Sequence, residues 1–353
     1  MLPESSPAQT ALARKLTAGK EQAFQTVLTS ARRQPIKEAG MEKILFAFTV
    51  LSSILIFFIM FFVVSEAIPV LQANGFRFVF SGGWDEQFVN AWLAPAGEPS
   101  WQFGALPLIA GTVYTTAGAL LIALPFGLGA AIFLTEMCPA WLRKPLESAV
   151  RLLAAIPSVI FGLAGLLLVV PLIADKLISN EVALRMINIC ALDGTSLLAG
   201  MIVLSMMIIP IFIALAADAL AAVPRRYKEA SLALGVSHWR TIVKVMLPVA
   251  KNGILAGAIL ATGRAIGEAI ALSMVTGSVA NLPSLRHGPV FFLEPVRTLA
   301  STIIDNAEGM SVATCESALF ACATFLLVSC IILSLFARLT AGGIQRKGGM
   351  TGG

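Results

Sequence analysis

The chain runs to 353 residues, 57% of them hydrophobic and only 13% charged, with a formal net charge of +5. A soluble domain carries about a quarter charged residues, so this composition argues against one. The apolar residues also fall in long blocks rather than periodic stripes, which is the pattern of membrane spans.

Residues 1–43 are polar and basic, with scattered apolar positions at Leu12, Leu16, Phe24, Val27 and Leu28. Two readings stand open for them: a weak amphipathic helix lying on the anionic inner leaflet, or an unstructured tail. The first apolar block begins at Ile44, too far in and too long for a cleavable signal core, and reads as a retained signal-anchor helix. Blocks long enough to cross a bilayer lie at about 44–64, 107–134, 150–173, 197–222, 253–276 and 317–337. The expected fold is an all-α multi-pass membrane protein with six transmembrane helices. The second and third blocks are interrupted by Pro107, Pro125 and Pro157. Such breaks are tolerated where neighbouring helices or a cavity satisfy the freed backbone groups. Between the first two blocks, residues 65–106 are rich in Gly, Pro and Trp and carry Glu66, Asp85, Glu86 and Glu98, enough chain for an ordered cap.

Lys and Arg alternate between the connecting segments. Residues 1–43, 135–151, 223–252 and the tail from Ala337 hold nineteen; residues 65–106, 174–196 and 277–316 hold five; Arg264 lies inside a span. By the positive-inside rule both termini belong on the cytoplasmic side of a plasma (inner) membrane. This divides the chain into a basic cytoplasmic segment (1–43), a transmembrane domain (44–337) and a cytoplasmic tail (338–353). Within the domain, 65–106 is an external loop and 223–252 a cytoplasmic one.

The five cysteines form no CxxC pair and no ligand-like spacing with His238 or His287, so no metal site is expected. Cys190 and Cys315 both fall on the outer side, which leaves open either a disulfide or two small apolar fillers. The pair Gly19-Lys20 is followed by Glu and lacks the upstream glycine of a phosphate-binding loop. No nucleophile–base constellation occurs in the spans, and no enzymatic activity is expected of this chain.

The loop at 223–252 has internal order. From Pro224 the helix formers Glu229, Ala230, Leu232, Ala233 and Leu234 lead to a stop at Gly235. A second short helix is expected from Ser237, as N-cap, to Leu247, ending before Pro248. Two short helices with a glycine corner make a compact knob, which by itself is only a well-formed loop.

The next apolar stretch, Gly253 to Gly277, carries Arg264 and Glu268. Arg264 sits about eleven residues in, so at ~1.5 Å per residue it lies roughly 16 Å deep, close to the bilayer centre. An arginine there costs on the order of 2.5–3.5 kcal/mol and should face the protein interior or a watered cavity. Glu268, four residues on, shares its helix face, so the two can pair. One reading is an internal ion pair that holds helices together. The other is an anion site on a translocation path, because a guanidinium fork matches tetrahedral oxyanions and keeps its charge. Glu268 would then restrain Arg264 when the path is empty, or accept a hydrogen bond from a protonated oxyanion. Gly263 and Gly267, four apart, would allow close helix approach.

Glu229-Ala230-Ser231, three residues, Gly235, nine residues, then Val245-Met246-Leu247-Pro248 resembles the EAA signature of membrane subunits of bacterial ABC importers. Ser231 stands where a second alanine is common, and Val245 where isoleucine is. The resemblance implies that Glu229, Ala230, Gly235, Leu247 and Pro248 belong to a coupling loop seated in a separate ATP-binding subunit. The run Gly263-Arg264-Ala265-Ile266-Gly267-Glu268 is similar to one in sulfate and molybdate permeases, which points to an oxyanion. Phe103 to Pro107, Gly127 to Glu136, Ile156 to Leu163 and Gly263 to Gly277 together resemble the PstC-type permease of phosphate-specific ABC importers, over most of residues 42–340. Phe161 and Ala164 stand where that type often has tyrosine and tryptophan, which leaves the PstA-type sister subunit open.

The resemblance implies an ABC importer type I permease, with a core of five helices like the methionine-importer (MetI-like) subunit and a peripheral first helix. It implies a PstA-like sister permease, two PstB-like ATP-binding subunits that use ATP and Mg, and a PstS-like extracytoplasmic phosphate-binding protein. This chain itself would bind no cofactor and no nucleic acid. The implied function is a permease subunit that imports inorganic phosphate, with sulfate or molybdate as alternative cargo, past Arg264 and Glu268. The rival from another class is an autonomous secondary transporter or channel in which those two residues form a proton-coupled or gating pair.

Overall fold

The computed structural model describes residues 35–95, 98–186 and 190–348. The open question about the stretch Leu12 to Leu28 therefore lies outside the described residues. The chain divides into two units, residues 1–62 and 63–353.

In the first unit the described residues belong to a helix that runs Pro35–Asn74. Its hydroxyls are satisfied within the helix: Thr49, Ser52 and Ser53 donate to the carbonyls of Leu45, Phe48 and Thr49 at 2.9, 2.8 and 2.8 Å. An apolar solvent offers no other partner, which is why such residues are tolerated in a span.

Six helices among the described residues are long and apolar enough to cross a membrane: Met41–Asn74, Leu106–Met137, Ser158–Leu177, Leu197–Ala221, His238–Ile266 and Ala313–Phe336. The all-α, multi-pass fold expected from the sequence is the one observed. Of the expected outer loop at 65–106, the described residues begin with the last turns of the first helix, which continues to Asn74. Short helices at Arg77–Phe80 and Trp84–Trp92 fold into a cap whose core is Phe78, Trp84, Phe88 and Phe103, packed on Ala67, Val70, Leu108 and Leu319.

Besides the first helix, which passes the expected end near 64, three boundaries differ from the expectation, each for a backbone reason. The third span starts at Ser158 rather than near 150. Residues Ala140–Ala154 instead form a separate helix with no buried residue that carries Arg143, Lys144 and Arg151. Pro157 separates the two, since proline removes a helical donor and drives the preceding residue out of the α region. The second knob helix does not end before Pro248. It runs from His238 through a π turn at Ile242–Met246 straight into Leu247–Ile266. A proline ring collides with the carbonyl four residues back, here Lys244, and the wider π turn relieves that collision. The same device recurs in the third span, where the π turn Gly165–Val169 precedes Pro171. The third difference is a break in the fifth span at Gly267.

The fourth span, Leu197–Ala221, is the centre of the packing. Its Leu204, Met207, Ile208 and Phe212 face Ala119, Ala123 and Ala131 of the second span and Ala250, Ala261 and Ala265 of the fifth. Large side chains on the middle helix thus meet small ones on its neighbours, which lets the backbones approach. Gly253 lies against Ala219 and Gly257 against Leu215, where an added Cβ would stand 2.6 and 3.0 Å from the opposing Cβ atoms.

Cys190 and Cys315 are both free thiols, so the disulfide left open by the sequence is not formed. Cys315 is buried, 3.8 Å from the carbonyl oxygen of Phe88. Burial, and then the negative charge of Glu294, hold the Cys190 thiol above its usual pKa.

Candidate functional site

The knob at 223–252 is built by local rules. Arg225–Ala233 is helical and ends in a left-handed residue, Gly235, at φ +77°. The Gly235 N–H donates to Leu232 O at 3.0 Å and the Val236 N–H to Ser231 O at 3.3 Å. This pair of bonds is the Schellman cap, and its left-handed position is the physical reason for a glycine there. Ser237 starts the next helix with extended ψ but makes no side-chain cap bond. The two halves are instead tied by a buried 2.9 Å hydrogen bond between the Ser231 and Thr241 hydroxyls. Serine at the position where alanine is common is therefore a hydrogen-bonding partner. Ile242, Met246 and Val223 anchor the elbow in the main core.

What the elbow leaves uncovered is the signature itself. Glu229, Ala230, Gly235 and Pro248 are exposed, Leu247 is half-buried, and Leu234 and Trp239 add large apolar surface at 83% and 57% exposure. An exposed apolar patch of this kind can take a partner protein.

The fifth span presents its buried face through small residues, Ala250, Gly257, Ala261 and Ala265. Arg264, one residue from that stripe and so about 100° around the helix, is exposed. Its depth follows from register. Gly253 meets Ala219 and Gly257 meets Leu215, so the fifth span runs antiparallel to the fourth. Continuing that register at equal rise places Arg264 roughly level with residue 208, close to the middle of Leu197–Ala221. The arginine thus stands level with the middle of the fourth span, in the last turn of its own helix and on an open face, with no ion pair among the described residues.

The structure does not bring Arg264 and Glu268 together. The helix stops at Ile266, Gly267 caps it, and a second short helix begins at Ile270. Glu268 falls in the break, 8% exposed, and accepts the Ala271 N–H at 3.4 Å. It serves the first turn of the second half-helix, whose donors have no partner within the helix. The four-residue spacing assumed a continuous helix, and the break at Gly267 removes that premise. Gly263 also has no neighbour within 4 Å of where a Cβ would stand, so no described helix packs on it.

Two polar clusters escaped the sequence reading. At the elbow end, Glu136 accepts Lys228 Nζ at 2.6 Å and lies 3.6 Å from His238 Nε2. At the opposite end, Arg297 pairs with Asp85 at 2.6 Å and with Asp305 at 3.6 Å, joining the cap to the chain after the fifth span. Both link residues far apart in sequence, and no local spacing announces them. Among the described residues no group of three His, Cys, Asp or Glu side chains could hold a metal ion.

Comparison with known proteins agrees with this anatomy. The model for the binding-protein-dependent transport system inner membrane component matches residues 123–346. The chain is similar to the phosphate transport system permease protein PstC of Pasteurella multocida, 34% identical over 286 residues, covering 78% of this chain and 82% of that one. The protein of the same name from Xylella fastidiosa is 32% identical over 317 residues, covering 86% and 92%. A probable ABC transporter permease, YqgH of Bacillus subtilis, is 41% identical over 192 residues, and there the match spans 54% of this chain and 58% of the relative. Among solved structures, an inward-facing MetNI methionine ABC transporter matches at 18% identity with a TM-score of 0.47, over 67% of this chain and 95% of that one.

Proposed function

The chain belongs to the family of binding-protein-dependent transport system inner membrane components, and from that premise we propose that it is the membrane-spanning permease subunit of an ATP-driven inorganic phosphate importer. The observation that carries the cargo is its similarity, over 86% of its length, to a protein named as a phosphate transport permease. Its partners in this reading are a sister permease, two ATP-binding subunits and an extracytoplasmic binding protein. The charge asymmetry of the loops supports the plasma membrane, with both termini and the elbow on the cytoplasmic side.

The geometry supports a division of labour. The elbow, with Glu229, Ala230, Gly235, Leu247 and Pro248, docks in an ATP-binding subunit through the exposed Leu234 and Trp239. Closure of the ATP-binding subunits pushes the elbow, and the rigid run from His238 to Ile266 carries that push to the break at Gly267. Arg264 lines the route. A guanidinium at this depth cannot face lipid without heavy cost, and on this chain it faces outward and unpaired. The sister permease and a watered passage supply what covers it. Glu268 shapes the break beside the arginine.

The test is uptake of inorganic phosphate by vesicles holding the whole complex. Arg264→Gln is expected to abolish uptake in a complex that still assembles and hydrolyses ATP, with Arg264→Lys intermediate. Normal uptake by the glutamine variant would remove Arg264 from the route, and sulfate uptake in place of phosphate would overturn the cargo.

A further inference from the structure

The buried carboxylate of Glu136 belongs neither to the docking surface nor to the route past Arg264. It stands at the elbow end of the second span, in the π turn Phe133–Met137, with its side chain 8% exposed. Both of its basic neighbours come from the elbow. Lys228, 2.6 Å away, lies on the first elbow helix next to Glu229; His238, 3.6 Å away, opens the second. One side chain on a core helix therefore holds both halves of a segment more than ninety residues later in the chain.

We propose that Glu136 is the positioning residue through which movement of the elbow is passed to the second span. The proposal rests on the reading of the elbow as the site that ATP-binding subunits push. Three features favour a mechanical link over a passive ion pair. First, a buried hydrogen bond between Ser231 and Thr241 ties the two halves of the elbow together. Second, the elbow's side-chain contacts with the core, through Val223, Ile242 and Met246, are apolar and non-directional, and they leave its orientation free. A short charge-assisted bond at a buried carboxylate is directional and does not. Third, Glu136 stands in the π turn that ends the second span, so a pull on it acts on the terminus of that span.

The surrounding charges single out this carboxylate. Arg143, Arg225 and Glu229 line the same cavity of about 390 Å³, but Arg143 is committed to Glu147 at 2.8 Å. If the elbow shifts while the bond to Lys228 holds, the end of the second span must move with it. That span packs along the fourth, so the displacement enters the core of the bundle.

A natural reporter sits two residues beyond Glu136: Cys138, a half-exposed free thiol. In the assembled complex with Cys190 and Cys330 changed to alanine, the maleimide labelling rate of Cys138 is measured with and without a non-hydrolysable ATP analogue. The parent complex is expected to show an analogue-dependent change in rate. Glu136→Gln, and separately Lys228→Met, are expected to shrink that change roughly tenfold or more, the scale of one lost charge-assisted bond, while ATP hydrolysis continues. Exchanging the charges, Glu136→Lys with Lys228→Glu, is expected to restore part of it. A parent with no analogue-dependent change overturns the proposal, as does a full change in either single variant. Because the thiol readout needs no cargo, a parent that responds at Cys138 yet fails to import phosphate counts against the proposed cargo alone.

Discussion

Gly235→Ala isolates one physical term in the elbow. The backbone there is at φ +77°, and no atom lies within 4 Å of the position a Cβ would take. Alanine therefore meets no clash, and its whole cost is the intrinsic strain of a left-handed L-residue, ~1–2 kcal/mol. Asparagine, which tolerates this region better, should cost less. The strain falls on the two capping bonds, from Gly235 N–H to Leu232 O and from Val236 N–H to Ser231 O. A penalty of that size raises the fraction of time the cap is open by about 5- to 30-fold. Amide hydrogen exchange at residues 232–236 of the detergent-solubilised complex measures that fraction directly. The expected order is glycine slowest, asparagine intermediate and alanine fastest, with exchange in the fourth span unchanged. Equal exchange in alanine and glycine proteins would refute the claim that the signature glycine is present for its backbone angle.

Three further outcomes rest on the same geometry. Ser231→Ala should strand the buried Thr241 hydroxyl and cost ~1–3 kcal/mol, whereas Ser231→Ala with Thr241→Val should recover much of that loss; a double-mutant thermal series checks the non-additivity. Gly253→Val should push the fifth span off Ala219 and lower stability by about 1–3 kcal/mol, and Ala219→Gly in the same chain should restore it if the contact at that Cβ is the cause. Cys190 ionises above its usual range, so its maleimide labelling should rise only at pH values above those of an ordinary thiol. Removing the negative charge with Glu294→Gln lowers the thiol pKa, and the labelling curve should move to lower pH; movement in the other direction would refute the electrostatic part of the assignment.

The membrane spans and the elbow were legible because both depend on short-range rules. A run of apolar residues of bilayer length is a helix wherever it is put, since its backbone has no other way to satisfy its hydrogen bonds in hydrocarbon. The corner at Gly235 and the start of the next helix at Ser237 are likewise set by neighbours within a few residues. Two of the misplaced boundaries came from prolines. Pro157 ends a surface helix, while Pro171 and Pro248 are accommodated by π turns and end nothing. A proline alone does not say which, because the answer depends on whether the surrounding packing holds the wider turn together.

That Arg264 falls inside an apolar block long enough to cross a membrane was determined by the sequence itself. Its environment was not. Whether Glu268 lies beside it depends on the break at Gly267, and whether the arginine points inward depends on which face of the helix meets the fourth span. The small residues at 250, 253, 257, 261 and 265 decide that by letting the backbones close along that side of the helix. Glu136 and Arg297 show the same limit more sharply. Their partners are separated from them by long stretches of chain, and only the packing of whole helices brings those charges within reach.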